Sequence, residues 1–247
     1  MRIAVLTDIH ANREALSACL AHAQQQGANR FAFLGDLVGY GADPAWVLDC
    51  VQDYASRGAW VLQGNHDAGV VQGTRPGMNP LARQGIEWTQ QQLSNSQREF
   101  LAQLPQQILW QEILLVHANA WAPANWEYID GSLEAARSMQ ATTAQLTFCG
   151  HVHQPGLYHL SLTGKTGEFL PEPEVGIPLS RQRRWLVIPG SVGQPRDGNP
   201  AACYAIFDRN KHELTYFRVP YDVSSASEKI RAAGLPSLFA ERLLEGR

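Results

Sequence analysis

An α/β fold of two sheets flanked by helices is what this sequence predicts, and three observations predict it. The first third alternates short apolar runs with amphipathic stretches, the strand–helix–strand order that gives parallel strands with covering helices. From Leu157 onward the apolar runs are strand-like and are separated by Gly, Pro, Asp and Asn, as in hairpins. No convincing linker or internal repeat interrupts the 247 residues, so 1–247 reads as one domain with C-terminal helices over 224–247.

The elements follow in order. Arg2–Thr7 is a buried strand by its unbroken apolar run. Asn12 caps a helix that extends to about Gln26 and is stopped by Gly27. Arg30–Leu34 is a second strand. Asp43 is the N-cap and Pro44 the first residue of a second helix, which Ala45–Ser56 fills. Ala59–Leu62 is a third strand. Asn79–Leu104 reads as two helices, with Gln90, Gln91 and Gln92 on a solvated face. Ile113–Val116 and Leu146–Cys149 are short buried strands, and a helix opens at Gly131-Ser132 and ends near Gln140 between them. Leu157–Leu162, Trp185–Ile188, Cys203–Phe207 and Leu214–Val219 supply the hairpin-type strands. Thr163–Arg184 is expected to be a long, mobile surface excursion, its Arg181, Arg183 and Arg184 forming a solvated edge. Ser224–Arg247 is helical with a break at Gly234-Leu235-Pro236.

Composition removes several functional classes. The 45% apolar content excludes a disordered chain. Twenty basic against 23 acidic residues give a net charge of −3, so there is no basic field for long nucleic acid. No apolar run reaches the roughly 18 residues of a membrane span. The N-terminal run Ile3–Thr7 is too short for a secretion signal and Asp8 ends it, so a cytoplasmic protein is expected. Cys19, Cys50, Cys149 and Cys203 lack CxxC spacing and read as buried thiols, not as a zinc knuckle or a redox pair.

Polar residues recur just past the buried strands: Asp8-Ile9-His10, Gly35-Asp36, Gly64-Asn65-His66-Asp67, His117 and Gly150-His151-Val152-His153. In a parallel α/β sheet that edge is where ligands bind. Each has a bland alternative taken alone. Asp8 could be an Asx-turn or a cap, and His117 a core-edge histidine. Jointly they are another matter, because five of the eight histidines fall in these loops. Imidazole and carboxylate donors together suit borderline divalent metals such as Mn, Fe, Zn or Co. Seven candidates exceed the four of a structural zinc. They suit two ions sharing a carboxylate, roughly 3.5–4 Å apart, the clamp used for in-line phosphoryl displacement. Asn65 would add a ligand without adding negative charge near an anionic substrate.

These five blocks, in this order and spacing, closely resemble the calcineurin-like metallophosphoesterase superfamily. Asp8-Ile9-His10-Ala11-Asn12, Gly39-Tyr40-Gly41-Ala42-Asp43-Pro44 and Pro189-Gly190-Ser191-Val192-Gly193-Gln194-Pro195-Arg196 resemble its compact bacterial and archaeal phosphodiesterase branch, which is related to diadenosine tetraphosphate hydrolases. The resemblance runs from Met1 to about Asp208 and implies the superfamily's two-sheet sandwich. It implies that Asp8, His10 and His153 hold one ion, that Asn65, His117 and His151 hold the other, and that Asp36 bridges them. It also implies a bridging hydroxide that attacks phosphorus in line, with His66 as general acid. Asp67 is expected either to orient His66 or to cap the following turn. Asn12 and Arg196 are candidates for phosphate contact, Arg being suited to bidentate recognition, and Tyr40 would flank the site. Two positions depart from the family's habit. Ala118 stands where His-Gly is common, and Val152 stands where Thr often separates the last two histidines; neither removes a ligand. Trp121 and Trp126 either pack the loop after His117 or stack on a base or aryl group.

The expected protein is a dinuclear-metal phosphodiesterase acting on a small phosphate ester or nucleotide. Two divalent ions are its cofactor, Mn first, with Fe, Zn, Ni or Co as substitutes. The competing activities are dinucleoside polyphosphate hydrolysis and phosphomonoester or phosphoprotein hydrolysis. A non-catalytic scaffold is disfavoured, because no ligand position and no acid position is vacant.

Overall fold

A computed structural model describes residues 1–74 and 77–247 of the chain. The elements run β1 (Arg2–Leu6), α1 (Arg13–Gln25), β2 (Arg30–Phe33), α2 (Pro44–Ser56), β3 (Trp60–Val61), α3 (Asn65–Gln72), α4 (Pro80–Gln92), α5 (Asn95–Gln103), β4 (Gln107–Trp110) and β5 (Ile113–Val116). They continue with α6 (Ser132–Gln140), β6 (Leu146–Phe148), β7 (Pro155–Ser161), β8 (Thr166–Phe169), β9 (Gly176–Pro178), β10 (Arg183–Pro189), β11 (Ala202–Asp208), β12 (Glu213–Val219), α7 (Val223–Ala232) and α8 (Ser237–Glu245). Two six-stranded sheets result, ordered β3-β2-β1-β11-β12-β9 and β4-β5-β6-β10-β7-β8. Each has a parallel half, β1, β2 and β3 in the first and β5, β6 and β10 in the second, and an antiparallel half beyond it.

The sheets pack face to face. Ile3 and Val5 of β1 point into the space between them and meet Leu115, Phe148 and Val187 of the second sheet. Ala4 and Leu6, one residue out of phase, point the other way into a core with Leu16 of α1 and Val47 of α2. A strand buried on both faces must be apolar at every position, which is why β1 reads as a run and not as an alternation. The outer face of the second sheet is covered by α6, whose Ala135 and Met139 pack on Leu186 and Ile188. The layers are therefore helix, sheet, sheet, helix, as expected.

Local chemistry sets the helix ends. Asn12 Oδ1 accepts the Ala15 amide at 3.1 Å, and Gly27, with φ +74°, turns the chain out of α1. Asp43 occupies the N-cap of α2 but makes no capping bond. Its carboxylate instead accepts Lys229 Nζ of α7 at 2.8 Å, so the C-terminal helices are tied to the front of the molecule.

Four features depart from the sequence reading. Helix α3 begins inside the Gly64–Asp67 motif, where Asp67 accepts the Gly64 amide at 2.9 Å and so caps the helix from within. Strand β4 buries only Ile108 and Trp110, in part, on an otherwise exposed edge, too weak a pattern to read. The expected excursion 163–184 is largely structured. β8 forms a hairpin with β7 on one sheet, while β9 pairs with β12 on the other. The segment is thus a strap joining an edge of each sheet, with Leu179 and Ile177 packed in the inter-sheet core. Arg184 is not solvated with its neighbours; it donates to the Met139 and Thr142 carbonyls at the end of α6. Gln90 likewise leaves the solvated face and donates to the Val70 carbonyl at 2.8 Å. Cys19, Cys149 and Cys203 are buried, Cys50 is half-buried, and all are free thiols. Among the described residues no helix is long and apolar enough to cross a membrane.

Candidate metal centre

The five polar blocks leave the sheets at one edge and converge. Asp8 and His10 follow β1, Asp36 follows β2, Asn65 and His66 open α3 after β3, His117 follows β5, and His151 and His153 follow β6. Backbone bonds lace the loops together: His10 N donates to the Asp36 carbonyl, Gly193 N to that of Asp8, and Gly150 N to that of His117. The sharp reversal past each strand puts Asp8, His10, Asp36, His151 and His153 in the left-handed region, with φ between 49° and 69°. Glycine is required where loops touch. A Cβ on Gly64 would stand 2.2 Å from the Asp36 amide, and one on Gly39, at φ +89°, would stand 2.4 Å from the His66 ring.

Two groups of donor atoms form, each within 4.8 Å: Asp8, His10, Asp36 and His153, and Asp36, His117 and His151. Asp36 belongs to both. Its Oδ2 lies 3.6 Å from His10 Nε2 and 3.5 Å from His117 Nε2. Asn65 joins the second group, its Oδ1 3.2 Å from His117 Nε2. Each histidine is oriented from behind by a backbone carbonyl on its other ring nitrogen. Val38 holds His10, Leu34 holds His117 and Gln194 holds His153, all through Nδ1, while Trp126 holds His151 through Nε2. A nitrogen that donates to a carbonyl leaves the opposite nitrogen as a lone pair, the form a metal requires.

The electrostatics call for cations. With both Nδ1 atoms committed as donors, His10 and His153 present facing Nε2 lone pairs only 3.1 Å apart. Burial raises the Asp8 carboxyl to about 7, with the Asp36 charge adding to the effect. Burial opposes a charged His117, but the Asp36 carboxylate outweighs it and pushes that imidazole up to about 9. Burial, then the His117 charge, hold His151 down to about 3, and burial keeps His10 and His153 well below the usual range. Buried carboxylates among histidines that burial keeps neutral leave a site short of positive charge, which divalent ions would supply. The residues present therefore fit divalent metals, and the seven candidate ligands are brought together at one edge.

The remaining candidates divide. His66 is buried at the centre's margin, packed against Tyr40 and His10 at 4.4 and 4.9 Å between ring centroids. Its amide donates to Asp36 Oδ1, and its Nδ1 has no hydrogen-bond partner among the described residues. Burial lowers its pKa. Arg196 lines the same cleft as His66 and Asp36, and its charge acts on Asp8, His10, His153, Tyr40 and Tyr128. Tyr40 flanks the site as expected. Asp67 does not orient His66. Its Oδ1 accepts the Leu37 and Val38 amides and its Oδ2 that of Gly64, so it clamps the Asp36 loop to α3. Asn12 has nothing left for phosphate. Its Oδ1 caps α1, and its Nδ2 donates to the Gly193 carbonyl and Tyr221 Oη. Trp121 lies under Arg137 at 4.4 Å and Trp126 is buried, its ring 5.6 Å from that of His117. Both pack the loop. The sequence reading missed Tyr128, whose ring stacks on His151 at 4.1 Å and 19°. Only its closeness to His117 along the chain hinted at it.

The comparisons with known proteins agree with this geometry. The model of the calcineurin-like phosphoesterase superfamily domain matches residues 1–212. An uncharacterized protein of Methanocaldococcus jannaschii is 36% identical over 250 residues, covering 99% of this chain and 98% of the relative. The crystal structure of a metallophosphoesterase from Sphaerobacter thermophilus is 34% identical, covers 100% of this chain and 99% of its own, and superposes with a TM-score of 0.88. A hypothetical protein of Pyrococcus horikoshii, 19% identical, shares the fold at a TM-score of 0.80 over 100% of this chain and 98% of its own. Sheet order, converging donors and these matches lead to one assignment: the chain belongs to the calcineurin-like phosphoesterase superfamily and is a phosphoesterase.

Proposed function

We propose that this phosphoesterase is a phosphodiesterase that works with two divalent cations, manganese first, on a small phosphate ester. The observation that carries the reading is Asp36, one carboxylate shared by two donor groups. Asp8, His10, Asp36 and His153 would hold one ion, and Asp36, Asn65, His117 and His151 the other. When bound, such ions acidify a water and offset charge on phosphoryl oxygens.

The chain's own groups do the rest. The backbone carbonyls behind the histidines fix each ring before substrate arrives, so no reorientation is needed during the reaction. Arg196 reaches the cleft as a cation and binds a non-bridging oxygen of the ester. His66, outside the ligand set, donates a hydrogen bond or proton to the departing oxygen. Its buried ring packs against Tyr40 and close to Gly39, where a Cβ would stand 2.4 Å from it.

The test uses protein reconstituted with Mn²⁺. Rates are compared on bis-p-nitrophenyl phosphate, p-nitrophenyl phosphate and diadenosine tetraphosphate. The diester is expected to give the highest kcat/KM. A much higher value for the dinucleotide would reassign the protein to phosphoanhydride hydrolysis, and one for the monoester to phosphomonoester hydrolysis.

A further inference from the structure

We infer that Tyr128 is a stacking platform for a planar heteroaromatic group on the part of the diester that stays with phosphorus, which makes a nucleoside phosphodiester the substrate class. The inference rests on the phosphodiesterase reading above. It comes from the juxtaposition of a half-exposed ring, a metal-ligating histidine and a cation at the mouth of one cleft.

Tyr128 is 47% exposed although one ring face is covered by His151 at 4.1 Å. The exposed area is therefore the opposite face and the edge. That places an aromatic face at the mouth of the cleft, open to a planar ligand. The ring borders a cleft of about 370 Å³ that also holds Asp36, His66 and Arg196. That volume falls in the range that takes a small organic ligand. Gln72 and Asn125 line the same cleft and are exposed, with amides suited to the polar edge of a base. Trp126 also lines the cleft but is buried, and Trp121 lies under Arg137, so among the aromatic residues of this loop it is Tyr128 that offers an exposed ring there.

The positions also fix which half of the ester is stacked. His66 packs on His10, on the side of the first donor group, whereas Tyr128 packs on His151 of the second. With the leaving oxygen beside His66, the retained alkoxy group extends toward Tyr128. Arg196 lines the same cleft as Tyr128, so phosphate and ring would be gripped side by side.

The experiment compares two esters with one leaving group, thymidine 5′-(p-nitrophenyl phosphate) and methyl p-nitrophenyl phosphate, in the Mn²⁺-loaded protein. The nucleoside ester is expected to have the higher kcat/KM, by about 5- to 150-fold, the worth of one stacked base. Tyr128→Ala should bring that ratio toward one, and Tyr128→Phe should keep it. Because both esters use the same centre, the ratio does not change if Tyr128→Ala also loosens the metal. Inhibition by thymidine 5′-monophosphate relative to methyl phosphate should follow the same pattern as an equilibrium measure. A wild-type ratio near one, or a ratio unchanged in Tyr128→Ala, overturns the inference and leaves the phosphodiesterase reading standing. If neither ester is hydrolysed, the phosphodiesterase reading fails and the inference falls with it.

Discussion

The two donor groups share a carboxylate yet are built differently. The first, Asp8, His10, Asp36 and His153, is closed. Its four side chains are all buried, the His10 and His153 rings stack at 4.8 Å, and the Asp8 carboxylate is braced by the His151 amide and the Thr7 hydroxyl. The second has three such side chains plus the amide oxygen of Asn65. Its outer member, His151, is held by a loop carbonyl and covered by a half-exposed tyrosine. The difference is one of enclosure. Were two ions bound as proposed, the closed group would hold its ion the more tightly, and the group completed by the half-buried Asn65 amide at the cleft mouth would leave room for substrate.

The most severe disruption removes what the groups share. Asp36→Ala is expected to empty both and abolish turnover, as read by elemental analysis of purified protein; retention of two equivalents would sink the shared-carboxylate reading. Next comes His66→Ala, which should keep both ions and lose roughly 10²–10⁴ in kcat, the scale of a lost general acid. The loss should grow as the leaving group becomes more basic, and a loss independent of leaving group would count against proton donation. A third comparison sharpens the asymmetry itself. Manganese titration should give a tight and a weak site, with His151→Ala abolishing only the weak one and His10→Ala the tight one; equal affinities would erase the distinction. Asp67→Asn should leave metal stoichiometry intact but destabilise the fold by about 1–3 kcal/mol, the cost of disappointing buried amides, measured by urea denaturation. The smallest effect is far from the centre. Lys229→Ala breaks the pairing with Glu14 and Asp43, and should cost no more than about 1 kcal/mol while leaving kcat unchanged.

The strands and helix starts were legible because they follow short-range rules, and the candidate ligands because they recur at strand ends in a pattern that resembles a known family. β5 is apolar at every position and β1 from Ile3 onward, since each is buried there on two faces, and Asn12 and Pro44 mark helix starts by their own chemistry. The ligands were legible as a set, since loops at one sheet edge can meet only there. What the sequence hid depends on partners distant along the chain. Nothing near Leu34, Val38 or Gln194 announces a carbonyl that orients a histidine. Asp67 and Asn12 have residue types that serve a site or a backbone equally well, and only the fold shows the backbone taking them. The strap over 163–184 was hidden because strands of three or four residues, pairing with two different sheets, leave no periodicity to detect.

The left-handed residues crowd at one edge: Asp8, His10, Ala11, Asp36, Tyr40, Trp126, His151 and His153 all lie there, and only Gln111, Glu174 and His212 are strained elsewhere among the described non-glycine residues. Each such residue costs on the order of 1–3 kcal/mol, less for Asp and His. Folding and chemistry therefore pull these positions in opposite directions. In a mutant library selected for thermal resistance alone, glycine should enrich first at these codons, and the hardiest clones should be inert. The strain at this edge is what holds the converging loops in their sharp reversals.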